Sequence, residues 1–371
     1  MSRARTFADL ATASEAGNLN TANLVINGDM SVAQRGTSST STLIQTVDRW
    51  GVSFGGVAVT QTQQSLTSGS PYESGFNNFI RAANTSTSSS TTSYIQFYQR
   101  IEAQHIANSG WNFKSSSSFI TLSFWARSSL QGTYYAFVVT DDGTDYYRSK
   151  AFALSADTWT KVTFTIEGNS NLTINDDNGI GFTVNIVPHY GTSYTGSNAN
   201  TTSWYTLVSN DYMPDFAQNW SESSGATFDV TGVQLELGQV ATPYKHENFA
   251  DNLLRCQRYY FKCGLAANTF IGGAGWARDN NSIHVSCPYP VTMRVAPTAL
   301  ETSGTSSDYE VNYRALSATV SSGPSFDTAN RFGAFISADV SGTPLTAGDS
   351  LRLVGSSGGG TDSFLAWSAE L

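Results

Sequence analysis

From Ile95 to Glu247 apolar and polar residues alternate along much of the chain. In FITLSFWARS, Ile120, Leu122 and Phe124 take one parity, and Thr121, Ser123 and Trp125 the other. That period of two marks a half-buried strand. The stretch TYYAFVVTDDGTDYYRSKAF reads as a hairpin, two aromatic-rich strands joined around Asp141-Asp142-Gly143-Thr144. Val162, Phe164 and Ile166 form one face of a further strand. Ile180, Phe182, Val184 and Ile186 form another, after the turn Asp176-Asp177-Asn178-Gly179. In FDVTGVQLEL the apolar phase slips: Phe228 and Val230 share one parity, Val233, Leu235 and Leu237 the other, with Gly232 between them. A glycine at a parity change is the sequence form of a β-bulge. Strands at short, regular spacing with turn signals between them predict an antiparallel sandwich or jelly roll.

The flanks follow other patterns. Phe7, Leu10 and Ala11 fall at i, i+3 and i+4, but Ser14 ends the stripe after little more than one turn. A helix that short is marginal alone. Residues 1–21 therefore read either as an attachment leader that needs a partner surface or as a frayed terminus. Pro243 closes the sandwich, and Asn248 can cap a helix on which Phe249, Leu253 and Cys256 share a face. A strand pattern resumes at Tyr259. The expected architecture is all-β: a helical leader over 1–21, a β-sandwich over 22–245, a linker helix and strand over 246–262, and a smaller β domain over 263–371.

Composition narrows the function classes. Of the 371 residues only 13% are charged, against 40% hydrophobic, and the formal net charge is −9. Phosphate backbones are gripped by clustered Lys and Arg, so nucleic acid is not an expected partner. Cys256, Cys263 and Cys287 show neither disulfide nor metal spacing, which suits assembly in a reducing cytoplasm. The start carries no apolar stretch of signal-peptide length. No run approaches the roughly 20 apolar residues of a membrane span, and membrane insertion is not expected.

Candidate chemistry is sparse. Gly51-Val52-Ser53-Phe54-Gly55 fits G-x-S-x-G, but a nucleophile elbow needs strand, sharp turn and helix, whereas the flanks read strand, glycine turn, strand. Asp141, Asp142 and Asp145, and separately Asp176 and Asp177, read as solvated turn residues or as Ca²⁺ ligands; neither run matches the calcium-loop frame. His105, His189, His246 and His284 are scattered, without zinc spacing. The Ser-Gly-Gly-Gly run at 357–360 lacks the Lys and Ser/Thr that cradle phosphate. No catalytic residue, metal site or cofactor is expected. Binding is the stronger prospect. Trp204, Tyr205, Tyr212 and Trp220 lie in a long polar stretch between two strands. Trp276, Tyr289, Tyr309 and Tyr313 punctuate the last domain, several beside glycine or serine. Such rings either stack on ligands, with contacts expected from loops, or anchor loops and interfaces.

Several stretches carry a resemblance: LVINGDMSVAQRG followed by VDRW, IQFYQRIEAQHI, ITLSFWARSS, GTYYAFVV, PVTMRVAPT and, most specific, VTGVQLELGQVATPYKHENF with LRCQRYY. The chain resembles the tail-fibre and receptor-binding proteins of tailed bacteriophages, which carry a carbohydrate-binding-module-like jelly roll. The resemblance implies a virion tail protein assembled in the host cytoplasm. It would attach to other tail or connector proteins through Phe7, Leu10 and Ala11, form a homotrimer, and face host surface polysaccharide with its C-terminal part. A non-enzymatic receptor binder is the expectation. A tail polysaccharide depolymerase and a structural collar or decoration protein are the rival classes.

Overall fold

The computed structural model describes residues 23–264, 273–342, 345–356 and 363–371. Phe7, Leu10, Ala11 and the 357–360 run lie outside these residues. The chain divides into two compact units, Met1–Asn252 with Leu371, and Leu253–Glu370. The division falls inside the stretch read as linker.

The first unit is a sandwich of eleven strands: β1 (Ser38–Ser39), β2 (Gly51–Gly55), β3 (Val59–Ser65), β4 (Asn78–Asn84), β5 (Tyr94–Glu102), β6 (Phe119–Ser128), β7 (Gly132–Thr140), β8 (Tyr146–Leu154), β9 (Thr160–Glu167), β10 (Ile180–Tyr190) and β11 (Thr227–Leu237). Short helices α1 (Ser70–Glu73) and α2 (Ala103–Ala107) interrupt them. One sheet runs β1-β3-β4-β11-β6-β9 and the other β2-β5-β10-β7-β8, with every pairing antiparallel. The alternation seen in sequence points inward as expected. Ile120, Leu122 and Phe124 of β6 meet Phe182, Val184 and Ile186 of β10 in one buried core. Between Thr231 and Gln234 the β11–β6 register slips by one residue. Gly232 sits at the slip with φ +62°, and a Cβ there would lie 2.6 Å from Phe76 Cζ. The bulge returns Val233 and Leu235 to the core that Phe228 and Val230 already face.

Parts of three stretches that carry the resemblance, around Asn27, Asp48 and Asn252, form one polar network. Asn252 Nδ2 donates to Asn27 Oδ1 (3.2 Å), Asp29 Oδ1 (3.1 Å) and Ser31 Oγ (3.0 Å). Asn27 Nδ2 donates to the carbonyls of Val32 and Asp48, both at 2.9 Å, and the Asn27 carbonyl accepts from Trp50 Nε1 at 3.1 Å. Asn23 holds the bulged strand by donating to the Val233 carbonyl and accepting from the Leu235 amide, each at 3.0 Å. Gly28 passes so close that a Cβ would stand 2.0 Å from the Val233 oxygen. Asn23, Asn27, Asp48, Trp50 and Asn252 are buried, and buried polar atoms left unpaired are costly, so the NGD, VDRW and FADN segments specify one another.

Helix α3 (Phe249–Gln257) starts as expected: Asn248 Oδ1 accepts from the Ala250 amide at 2.9 Å. Its buried face is not the one predicted. Asn252, Cys256 and Gln257 are buried while Phe249 is exposed, because the polar network draws Asn252 inward.

On the outer face of the six-stranded sheet, Asp229 of β11 is opposite both Arg81 of β4 and Arg127 of β6. Arg81 Nε and Nη2 donate to its two oxygens at 2.7 and 2.9 Å, and Arg127 Nη2 approaches at 2.7 Å. The carboxylate is 1% exposed, the guanidiniums 29% and 26%.

The second unit contains β12 (Tyr260–Gly264), β13 (Gly275–Ala277), β14 (Ser282–Pro288), β15 (Glu301–Thr302), β16 (Tyr309–Tyr313), β17 (Leu316–Ala329), β18 (Gly333–Ser341), β19 (Ser350–Gly355) and β20 (Phe364–Ser368). Strands β13-β14-β18-β17-β16-β19 close into a barrel, and β12-β20-β15 form a small sheet. The smaller C-terminal β domain read from sequence is present.

Two substitutions test these constraints. Gly232→Ala forces a Cβ into a left-handed position against Phe76, and the denaturation midpoint should fall by the equivalent of about 1–3 kcal/mol. Asp229→Ala leaves two facing guanidiniums without their carboxylate. Because both retain access to water, the loss should sit near the lower end of the range for broken buried pairs, about 3 kcal/mol.

Candidate functional site

The outer face of the five-stranded sheet carries a second apolar layer. Alternation that turns Tyr134, Ala136 and Val138 of β7 into the core turns Tyr135, Phe137 and Val139 outward. Tyr147 of β8 and Val187 and Tyr190 of β10 continue that layer. Left bare it would be a broad exposed apolar patch. The connection between β10 and β11 folds back over part of it. The backbone of Tyr205 exchanges two hydrogen bonds with that of Tyr147, at 2.7 and 2.9 Å, adding an isolated bridge to the β8 edge.

Aromatic edges pin this cover down. Tyr212 meets Tyr190 at 5.6 Å and 87°, and Tyr147 at 5.6 Å and 85°. Phe216 meets Tyr135 at 5.0 Å and 83°. Each such pair contributes about 0.5–1.5 kcal/mol beyond the area it buries. Ser149 Oγ and the Tyr205 hydroxyl are hydrogen-bonded at 2.6 Å. Burial pushes the Tyr205 hydroxyl up to about 12. Burial, reinforced by neighbouring tyrosines, also raises Tyr147, Tyr190 and Tyr212. The nest is therefore neutral in neutral water.

Where the cover stops, a groove of about 220 Å³ opens on the sheet. Half-buried Tyr212 supplies ring surface beside the largely buried rings of Phe137, Tyr147 and Tyr190, and Gln96, Tyr98, Arg100, Asp141, Thr183 and Asn185 supply polar groups. Tyr190 donates its hydroxyl proton to Gln96 Oε1. The Arg100 guanidinium lies 5.4 Å over the Tyr98 ring. Thr183 Oγ1 donates to Asp141 Oδ2 at 2.8 Å. Burial pushes the Asp141 carboxyl up to about 6, against the pull of the Thr183 hydrogen bond and with added repulsion from Asp145. Because the residue is exposed at the rim, water screens that shift. Among the described residues, one cation, one carboxylate and several neutral donors and acceptors beside the partly exposed Tyr212 ring suit a neutral, hydroxyl-rich ligand with an apolar side.

The sequence candidates separate sharply. Trp220 is 0% and Trp204 8% exposed; both belong to the sandwich core, and Trp204 Nε1 donates to the Glu167 carbonyl at 2.7 Å. They anchor the loop and offer no ring face. Tyr205 and Tyr212 lie in the outer aromatic layer, and Tyr212 lines the groove. In the second unit Tyr289, Tyr309 and Tyr313 are buried in the barrel core, turned inward by their own alternation. Trp276 is 42% exposed. It stands parallel to His284 within 15° at 5.6 Å and edge-on to Phe335 at 5.8 Å, making a small aromatic platform on strands rather than loops. The groove residues Gln96, Tyr98, Arg100 and Asn185 all stand on strands, where sequence spacing gives them no functional weight. The legible trace was a strand aromatic on the polar parity of β5, Tyr98 in YIQFYQR.

Other candidates resolve as structure. Ser53 is mid-strand in β2 opposite Gln96, so no elbow raises its hydroxyl. Asp142 accepts from Asn175 through backbone (2.8 Å) and amide (2.7 Å), and Asp177 from the Gly179 amide at 2.8 Å. Among the described residues no group of three or more His, Cys, Asp or Glu side chains could hold a metal, no helix is long and apolar enough to cross a membrane, and no disulfide joins the three cysteines.

No protein-family model matches the chain, and no curated protein does. Solved structures do show likenesses. One is the enzymatically active domain of tailspike protein 4 from bacteriophage CBA120: 13% identity, TM-score 0.33, covering 58% of this chain and 21% of that one. Another is TmCBM61 in complex with β-1,4-galactotriose: 11% identity, TM-score 0.28, covering 59% and 99%. A third is a cyclase from Fischerella sp. TAU: 8% identity, TM-score 0.34, covering 60% and 99%. This chain spans about a fifth of the tailspike domain's length. All three scores are low, and the three proteins differ in kind, so the likenesses carry no argument about ligand or reaction.

The buried histidine beside the groove gives a pH prediction. Burial lowers His189 to about 4 from its ordinary 6.5. Between these values the unfolded chain binds more protons, so stability is lost as pH falls through 6.5, and the loss levels off near 4. The integrated loss is about 3 kcal/mol. Asp141, raised in the fold, works in the opposite sense as pH falls from 6 to 3.8. The histidine contribution is therefore the difference between wild type and His189→Gln. Their denaturation midpoints should converge between about pH 7 and about pH 4.5 as the wild type loses its advantage.

Proposed function

We propose that this protein is a non-enzymatic, glycan-recognising component of a tailed-phage virion, and that the groove on the outer sheet holds a neutral saccharide. The observation that carries the reading is the groove itself, in which Tyr98, Tyr147, Tyr190 and Tyr212 stand beside Gln96, Arg100 and Asn185. Sugar rings present an apolar C–H face and a rim of hydroxyls, and this lining matches both. The net charge of −9 disfavours acidic polymers. Among the described residues Asp141 is the one carboxylate lining the groove, where glycoside hydrolysis works with two, and that supports binding without cleavage. Placement on the virion tail, attachment through residues 1–21 and a homotrimeric state rest on the sequence resemblance.

Affinity electrophoresis through gels containing dextran, galactan or mannan tests the reading. At least one should retard the protein, and no clearing or reducing ends should appear. Asn185→Ala removes a side-chain hydrogen-bonding group worth about 0.5–1.5 kcal/mol, so it should weaken that retardation two- to roughly tenfold. If Trp276→Ala abolishes retardation while Asn185→Ala leaves it intact, the barrel platform is the site and the groove is not. Release of oligosaccharides would make the protein a depolymerase.

A further inference from the structure

A second pocket, of about 380 Å³, lies at the end of the sandwich, across Tyr190 from the groove. Its walls come from the β4–β5 connection (Ser88 to Thr91), the end of β10 and the returning cover at Asp215 to Ser221. His189 stands in the wall, 6% exposed. Its Nδ1 has no hydrogen-bond partner.

The neighbouring hydroxyls fix what that nitrogen needs. Ser93 Oγ lies 2.8 Å from the Ser90 carbonyl and 3.1 Å from His189 Nε2. A carbonyl only accepts, so the single Ser93 proton goes to Ser90, and Nε2 must donate to the Ser93 oxygen. The neutral ring therefore carries its proton on Nε2, and Nδ1 presents a bare lone pair. Gln218, also in the wall, is oriented by donation from Nε2 to the Thr133 carbonyl at 2.7 Å. This leaves its Oε1 unpaired as well. Two residues of the wall thus each carry a buried acceptor without a donor. Asp215, with Oδ1 already accepting from Thr195 Oγ1 at 2.5 Å, adds further acceptor character. A cation would need more carboxylate than this wall holds, and an anion would be repelled by the Asp215 carboxylate and by the lone pairs of His189 and Gln218.

We propose that this pocket is a second saccharide subsite, in which the wall opens enough for a sugar hydroxyl to donate to His189 Nδ1, an atom sealed from solvent in the free protein. It takes its ligand class from the reading of the groove and rests on it. Because Tyr190 lines both spaces, a glycan chain lying in the groove can place an end unit or branch in the pocket.

The test follows the histidine itself. Full-length protein labelled with ¹⁵N in histidine, asparagine and glutamine is titrated with galactose, glucose and mannose, and with short oligomers of each. His189 is assigned by its loss in His189→Gln. The free protein should show the Nε2-protonated tautomer. At least one sugar should move the His189 Nδ1 resonance to saturation, and His189→Gln should weaken that sugar several-fold. The wild-type titration decides the matter even if the variant does not fold. Movement of both His189 and the Asn185 amide is the expected result. Movement of Asn185 alone overturns the pocket and keeps the groove. Movement of His189 alone keeps the pocket and overturns the groove. Movement of neither, with Nδ1 hydrogen-bonded only to water, overturns both.

Discussion

The central strand of the five-stranded sheet, β10, is buried on both faces, and the architecture around the groove follows from that. Its inner residues Phe182, Val184 and Ile186 belong to the sandwich core, and its outer residues Val187 and Tyr190 belong to a second aromatic layer. A sheet that is apolar on both sides must be covered on both sides. The six-stranded sheet covers one. The β10–β11 connection covers the other, held by tyrosine edges and by the core anchors Trp204 and Trp220. It is long because it has a face to cover. The groove is the uncovered remainder, where the sheet gives way from aromatic to polar residues at Gln96, Arg100 and Asn185.

Much of the fold was legible in the chain because strands write their burial as alternation. The bulge at Gly232 could be placed from a parity slip alone. The same rule carries a warning about Tyr309 and Tyr313. They share parity with Val311, so the alternation in YEVNY already assigned them to the barrel core, and reading them as ligand contacts set that signal aside. Trp276 lies in a strand of three residues, too short to show a period, and only the structure turns it outward.

The candidate site was far less legible. Gln96, Arg100 and Asn185 are brought together by pairing of β5 with β10, a register that sequence spacing does not encode. His189 and Ser93 are 96 residues apart. Asp229 and its two arginines meet for the same reason. The most recognisable segments, NGD near the start and FADN after the sandwich, serve packing: Asn27 and Asn252 satisfy one another in a buried network. Distinctive motifs in this chain mark its hardest structural constraints, while the groove is lined by residues whose types are ordinary on any strand.

The central claim is that ligand occupies the uncovered part of the outer sheet. Hydrogen–deuterium exchange of the full chain, with and without the neutral polysaccharide that retards it in gels, tests this most directly. The account predicts slowed exchange in the Asp141 to Asp145 turn, at the end of β10 and across Tyr205 to Met213, with the second unit unchanged. Protection confined to the strands bearing Trp276, His284 and Phe335 would contradict it.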